Sequence, residues 1–163
     1  MQTFMPYSSF QKTAECLDYR RLGKQRVETK QILQCLMEEG SLGWSNHPIV
    51  RAWWGFEEAL AVYGLYICSE WKFRGYQDSL FGWFQSVRLI LRDGGRHMTE
   101  MPPWTRNSEV NLAYQKVLTW KEPEHYEEIF DMVQLEYPEF PWGLLRGRSD
   151  GSVKWTDLKE GKI

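Results

Sequence analysis

The sequence predicts an all-α fold: a compact single-domain helical bundle around a long buried central helix. Three observations carry that expectation. Leu22, Thr29, Leu33 and Leu36 recur at helical spacing within residues 18–39, giving one inward stripe. Apolar side chains nearly encircle residues 48–74 (among them Trp53, Phe56, Leu60, Tyr63, Tyr66, Ile67 and Trp71), the pattern of a helix at a domain centre. Glycine and proline fall between these stretches rather than within them, apart from a few positions that need explaining.

In chain order, a short helix opens at Ser8 or Ser9 and ends near Leu17. Asp18 then caps the first long helix, which Gly40 closes. Pro48, suited to a first helical turn, starts the central helix, expected to run to Arg74 before Gly75. A shorter helix over about 79–92 is interrupted by Gly82. Residues 93–107 read as a long connection, because Gly94-Gly95 and Pro102-Pro103 forbid regular structure. Ser108 caps a helix to about Lys121, and Pro123 helps open another near 124–132. Pro138 and Pro141 break the tail, and Leu144 to Thr156 alternates around Ser149-Asp150-Gly151, the pattern of a small β-hairpin. The expected organisation is one domain over 1–163, with a helical core at 1–131 and a C-terminal extension at 132–163.

Composition narrows the function. With 42% apolar, 26% charged and 15% aromatic residues, low-complexity disorder is excluded. The longest apolar run, Ala59 to Cys68, is too short to span a bilayer, and the opening residues lack a secretory signal pattern. Three widely spaced cysteines without a CxxC read as reduced thiols, so a cytoplasmic protein without membrane association is expected. A net charge of -2 argues against a generic polybasic binder, but it hides an asymmetry. Residues 1–30 hold six Lys/Arg against three acids, whereas residues 121–139 hold one Lys against seven acids. A basic end can bind an anion locally.

Dinucleotide, P-loop, metalloprotease and nucleophile-elbow motifs are all absent. His47, His97 and His125 are read as having no neighbouring cysteine or carboxylate at metal-ligand spacing, so no metal and no other cofactor is expected. The chemistry-bearing stretch is Leu17 to Lys30. Arg21, Gln25 and Glu28 line one helix face, and Lys24 meets Glu28 at i,i+4. Gly23 costs close to 1 kcal/mol relative to Ala, which either close helix packing or close approach of a ligand would explain. Arg26 shares the inward stripe and needs an anionic partner, a protein carboxylate or a bound phosphate. His47, after Asn46, either caps the central helix or contacts a ligand. Trp104, on the rigid Pro102-Pro103 turn, either joins the core or stacks on a base.

The order of segments resembles the phage endonuclease V type pyrimidine dimer DNA glycosylases. Tyr19-Arg20-Arg21-Leu22 is similar to the core of that family's first catalytic helix. His47-Pro48 through Trp54-Gly55-Phe56 to Cys68 and Arg74-Gly75-Tyr76 resembles its long middle helix. Met101-Pro102 through Asn111-Leu112-Ala113 to Lys121-Glu122-Pro123 and Tyr126 looks like its third helix and following turn. The resemblance covers about residues 1–130 and implies a small all-helical protein that binds double-stranded DNA carrying a damaged or modified pyrimidine and flips a nucleotide out. The amine at the chain start attacks the sugar C1′, displaces the base and forms an imine, and β-elimination then breaks the strand. A glutamate on the first helix stabilises the cationic sugar, and arginines hold phosphates.

The nucleophile is physically reasonable, because an α-amine of pKa about 7.8 is far more often neutral at pH 7 than a lysine of about 10.4. Extrahelical capture is needed as well, since a stacked nucleotide hides its sugar. Two positions depart from the family. Gln2 follows Met1 where the family has a small hydroxyl residue, so the amine is expected on a retained Met1. Arg21 stands at the family's glutamate position, and Glu28, about 10 Å further along the same face, is the one acid in the helix interior able to replace it. The expected catalytic set is therefore Met1, Glu28 and, in reserve, Lys24, whose basicity three nearby arginines would lower. The expected DNA contacts are Arg20, Arg21, Gln25, Arg26, Asn46, His47 and Trp104. The enzyme expected is a glycosylase/AP lyase of DNA repair with no obligatory protein partner. Two alternatives stay open: a non-catalytic nucleic-acid binder on the same scaffold, and a small nucleotide or anion pocket built from Lys24, Gln25, Glu28 and His47.

Overall fold

A computed structural model describes residues 1–37, 43, 44, 46–94, 101–140 and 145. Among them the regular structure is helical: α1 (Phe10–Cys16), α2 (Tyr19–Met37), α3 (Pro48–Trp53), α4 (Glu57–Phe73), α5 (Phe81–Asp93), a 3₁₀ turn (Pro103–Arg106), α6 (Ser108–Lys121) and α7 (Pro123–Phe130). No helix among the described residues is long and apolar enough to cross a membrane. The hairpin expected around Ser149-Asp150-Gly151, with most of the C-terminal extension, lies outside the described residues.

The largest difference from expectation is in the middle. The single helix expected from Pro48 to Arg74 is two, α3 and α4, broken at Trp54-Gly55-Phe56. Trp54 is extended (φ -61°, ψ 128°) and Gly55 takes a φ of 80°, a left-handed conformation that favours glycine. Glu57 Oε1 accepts the Gly55 N–H at 3.0 Å, which stabilises the break. The remaining central helix, α4, buries Leu60, Tyr63, Ile67 and Cys68 but leaves Tyr66 exposed, so it is not enclosed on every side.

The other helices start close to where local chemistry requires. Ser9 caps α1. Asp18 caps α2, its Oδ1 accepting the N–H groups of Arg20 at 2.9 Å and Arg21 at 3.1 Å. Asp78 Oδ2 accepts the Leu80 and Phe81 N–H groups at 3.1 and 2.7 Å, so α5 begins past residue 79 and runs through Gly82 uninterrupted. Asn107, one residue before the expected Ser108, caps α6. Part of the connection expected to lack structure forms the 3₁₀ turn, which Pro102 O closes by accepting the Thr105 N–H at 3.0 Å.

Packing centres on α2 against α4 and α4 against α5. Gly23 owes its place to close helix packing: an added Cβ would stand 3.0 Å from the Trp71 ring. Gly64 likewise admits the Phe84 ring of α5. The C-terminal carbonyls of α1 are closed by Arg74, which reaches Leu17 O at 2.7 Å and Glu15 O at 2.9 Å. Helix α7 docks on the α1–α2 corner through Tyr126, whose hydroxyl donates to Asp18 Oδ2 at 2.6 Å and accepts the Asp18 N–H at 2.9 Å. Cys16, Cys35 and Cys68 are buried as thiols. Burial pushes Cys16 and Cys68 up to about 12, so neither is a ready nucleophile.

Candidate active site

The residues ahead of α1 form a buried strap, with Thr3, Phe4 and Met5 enclosed between helices. Its backbone is held at almost every step. The Gln2 N–H donates to Glu28 Oε2 at 3.1 Å, and Gln25 Nε2 donates to the Gln2 carbonyl at 3.0 Å. The Trp53 indole N–H donates to Thr3 Oγ1 at 2.8 Å. The Phe4 N–H donates to Gln25 Oε1 at 3.0 Å, and the Tyr63 hydroxyl lies 3.0 Å from the Phe4 carbonyl. Further on, Asn111 Nδ2 reaches Met5 O at 2.7 Å and Gln115 Nε2 reaches Pro6 O at 2.9 Å. Four helices thus hold the start of the chain.

The consequence for Met1 is geometric. Its nitrogen lies three bonds before Gln2 N, and Gln2 N is 3.1 Å from the Glu28 carboxylate. Covalent geometry keeps the terminal nitrogen within about 7 Å of that carboxylate. Glu28 is mostly buried but keeps 11% of its side chain exposed, and its Oε1 stands 3.5 Å from Lys24 Nζ, which is itself largely exposed. Among its partners Glu28 also counts Gln25 Nε2 at 3.3 Å.

His47 belongs to the same neighbourhood. Its Nδ1 accepts the Ile49 N–H at 3.2 Å and so caps α3. A ring nitrogen that accepts carries no proton, so the neutral imidazole bears its proton on Nε2. Burial lowers the His47 pKa, the Met1 amine lowers it further, and Glu28 opposes both; the net shift is downward, so the ring is neutral at pH 7. The amine, the carboxylate and this imidazole therefore lie within electrostatic reach of one another.

Several sequence-derived contacts do not reach this surface. Arg21 pairs with Asp18 at 2.9 Å and Glu122 at 3.0 Å and donates to Lys121 O, so it ties α2 to the start of α7. Arg26 resolves the choice offered by its inward position: its anion is the protein carboxylate of Asp78, and its guanidinium sits 4.9 Å from the Trp71 ring centroid. Of the three arginines expected around Lys24, Arg21 and Arg26 are thereby occupied elsewhere and Arg20 alone stays beside it, while the charged partner Lys24 does have is the acid Glu28. Gln25 is completely buried and faces the strap, not solvent. Trp104 is 3% exposed, donates its indole N–H to Ala52 O at 2.9 Å and packs edge-on against Trp53, so it is a core residue and not a stacking platform.

What stays accessible is a stripe on α2. Arg20 and Lys24, one turn apart on its exposed face, lead to the Glu28 rim. Asn46 is exposed too, and Arg51 Nη2 reaches its Oδ1 at 3.4 Å. Arg51, an exposed cation in the last turn of the short α3, was missed from the sequence, although its place four residues after His47 was a signal. Tyr63, Trp53 and Thr3 were missed as well, since nothing in their spacing ties them to residues 1–4. Among the described residues no three His, Cys, Asp or Glu side chains converge as metal ligands.

The Glu28 carboxylate, the start of the chain and the exposed cations Arg20 and Lys24 thus lie along one edge of the helical fold. The family model for pyrimidine dimer DNA glycosylases matches residues 1–81, about half of the chain, and the chain belongs to that family. The matched segment contains the strap and α1 through α4, and ends short of the α6–α7 region over which the resemblance was also drawn. No curated protein and no solved structure matches the chain.

Proposed function

We propose that this protein is a DNA glycosylase/AP lyase acting on damaged or modified pyrimidines through an imine formed by the Met1 amine. The Gln2 N–H bond to Glu28 is the observation that carries the reading, because it keeps the terminal nitrogen and a carboxylate on one edge of α2. Arg21 at the family's glutamate position would otherwise argue against catalysis. The start of the chain is docked at the turn of Glu28, about two turns along α2 from Arg21, which brings the amine to the acid that is present.

In this reading the neutral Met1 amine bonds to C1′ of an extrahelical nucleotide while the C1′–N glycosidic bond breaks and the base leaves with its electrons. Glu28 stabilises the cationic sugar and takes the proton shed by the amine nitrogen. As the C1′–O4′ bond opens, Glu28 returns that proton to O4′ and the protonated imine forms; the regenerated carboxylate then takes a C2′ proton, and the 3′-phosphate leaves with the C3′–O electron pair. Arg20, Arg51 and Asn46 contact backbone phosphates, and the neutral His47 lines the nucleotide site. Lys24 pairs with the Glu28 carboxylate and remains the reserve nucleophile.

Borohydride reduction in the presence of duplex DNA containing either an abasic site or a pyrimidine dimer tests the reading. A covalent protein–DNA adduct is expected. Tight, salt-sensitive binding without any adduct on either duplex would contradict it and leave the non-catalytic binder.

A further inference from the structure

We propose that Gln25 is a positioning residue: by pairing with residues 2 and 4 as a neighbouring strand would, it sets where the terminal amine stands relative to Glu28. The proposal rests on the imine reading above. One carboxamide accepts the Phe4 N–H at 3.0 Å and donates to the Gln2 carbonyl at 3.0 Å. That is the pattern in which a residue of a parallel strand bonds the carbonyl before and the N–H after its opposite number. With Glu28 on the Gln2 N–H and Tyr63 beside the Phe4 carbonyl, both polar groups of residues 2 and 4 meet side chains on that edge. Three side chains replace a strand.

The donor set fixes the orientation of the amide. Its nitrogen faces a carbonyl and, at 3.3 Å, the Glu28 Oε2, both acceptors only; its oxygen faces an N–H and, at 2.8 Å, the Tyr63 hydroxyl. Burial raises the Tyr63 phenol well above its ordinary range, so it stays a donor. Gln25 and Tyr63 are both fully enclosed, and a flipped or missing amide would leave several buried groups unpaired. The same Nε2 that holds the strap also touches Glu28, so one side chain fixes both reacting partners. Gln25 itself cannot reach DNA, which separates its role from that of Glu28.

The test uses the full chain with three substitutions, single-turnover borohydride trapping on an abasic duplex, affinity for a duplex with a tetrahydrofuran abasic analogue, and thermal melting. Gln25→Met removes donor and acceptor at similar length. Trapping should fall about 100-fold, as for a misplaced reacting group, with affinity for the analogue duplex unchanged. Gln25→Glu loses the donor at neutral pH, and its trapping rate relative to the unsubstituted chain should recover as pH falls, because a protonated carboxyl both donates and accepts. Tyr63→Phe should give a smaller loss in the same direction. A folded Gln25→Met chain that traps at the original rate, or that loses trapping and DNA affinity in proportion, overturns the proposal. Should Gln25→Met fail to fold, a Gln25→Glu rate ratio that is flat with pH overturns it equally. Absence of trapping by the unsubstituted chain would instead defeat the imine reading, a distinguishable result.

Discussion

Glu28 carries the most weight at the scale of single residues. Converting Glu28→Gln keeps an acceptor for the Gln2 N–H but removes the negative charge and the proton acceptor. Turnover should fall by about 100-fold or more while DNA affinity holds, measured by strand cleavage and by titration of the analogue duplex. Unchanged turnover would remove Glu28 from the mechanism. The exposed and engaged arginines should separate in a salt titration. Arg20→Gln and Arg51→Gln should each flatten the slope of log affinity against log salt by about 0.9, the share of one phosphate. Arg21→Gln and Arg26→Gln should leave that slope alone and lower the melting temperature, because their partners are Asp18, Glu122 and Asp78. The sequence showed which face of α2 holds Arg21, Gln25 and Glu28, yet it could not show that the strap would cover Gln25 or that Asp78, fifty-two residues away, would claim Arg26.

Two junctions between elements set stability. Gly64 lies where α4 meets α5, and an added Cβ would fall 2.5 Å from the Phe84 ring. Gly64→Ala should therefore destabilise by about 1–3 kcal/mol despite its better helix propensity, read by denaturant unfolding. Asp18 joins α2 to α7. Burial raises its carboxyl, but hydrogen bonds from Tyr126 and Arg21 outweigh burial and leave it lowered. Its contribution is then complete above the ordinary carboxylate value of about 3.9 and disappears as pH falls through the lowered folded value. Asp18→Asn should cost about 1–3 kcal/mol at pH 7, and its melting temperature should drop less than that of the unsubstituted chain on acidification below about pH 4. Helix positions were legible because caps and periodicity are local signals: Ser9, Asp18 and Pro48 all stand at helix starts. The break between α3 and α4 was missed because Gly55, flanked by large apolar residues, reads as a tolerated helical glycine; neither its φ of 80° nor the Glu57 carboxylate on its N–H leaves a periodic trace.

Over the whole molecule, the first residues of the chain are part of the core, not a dangling end. Resemblance made the Met1 amine a candidate; only the fold shows how the residues that follow it are held, through side chains of α2, α3, α4 and α6 distant in sequence. Such contacts leave no periodic trace. Extending the chain by one glycine ahead of Met1 should carry the amine past Glu28, and trapping should fall with melting and DNA affinity preserved. The central claim is that the terminal nitrogen forms the imine beside Glu28, and locating the borohydride-reduced adduct by peptide mapping tests it most directly. The DNA remnant should sit on the α-amine of Met1; a remnant on Lys24, or none anywhere on the chain, would contradict the account.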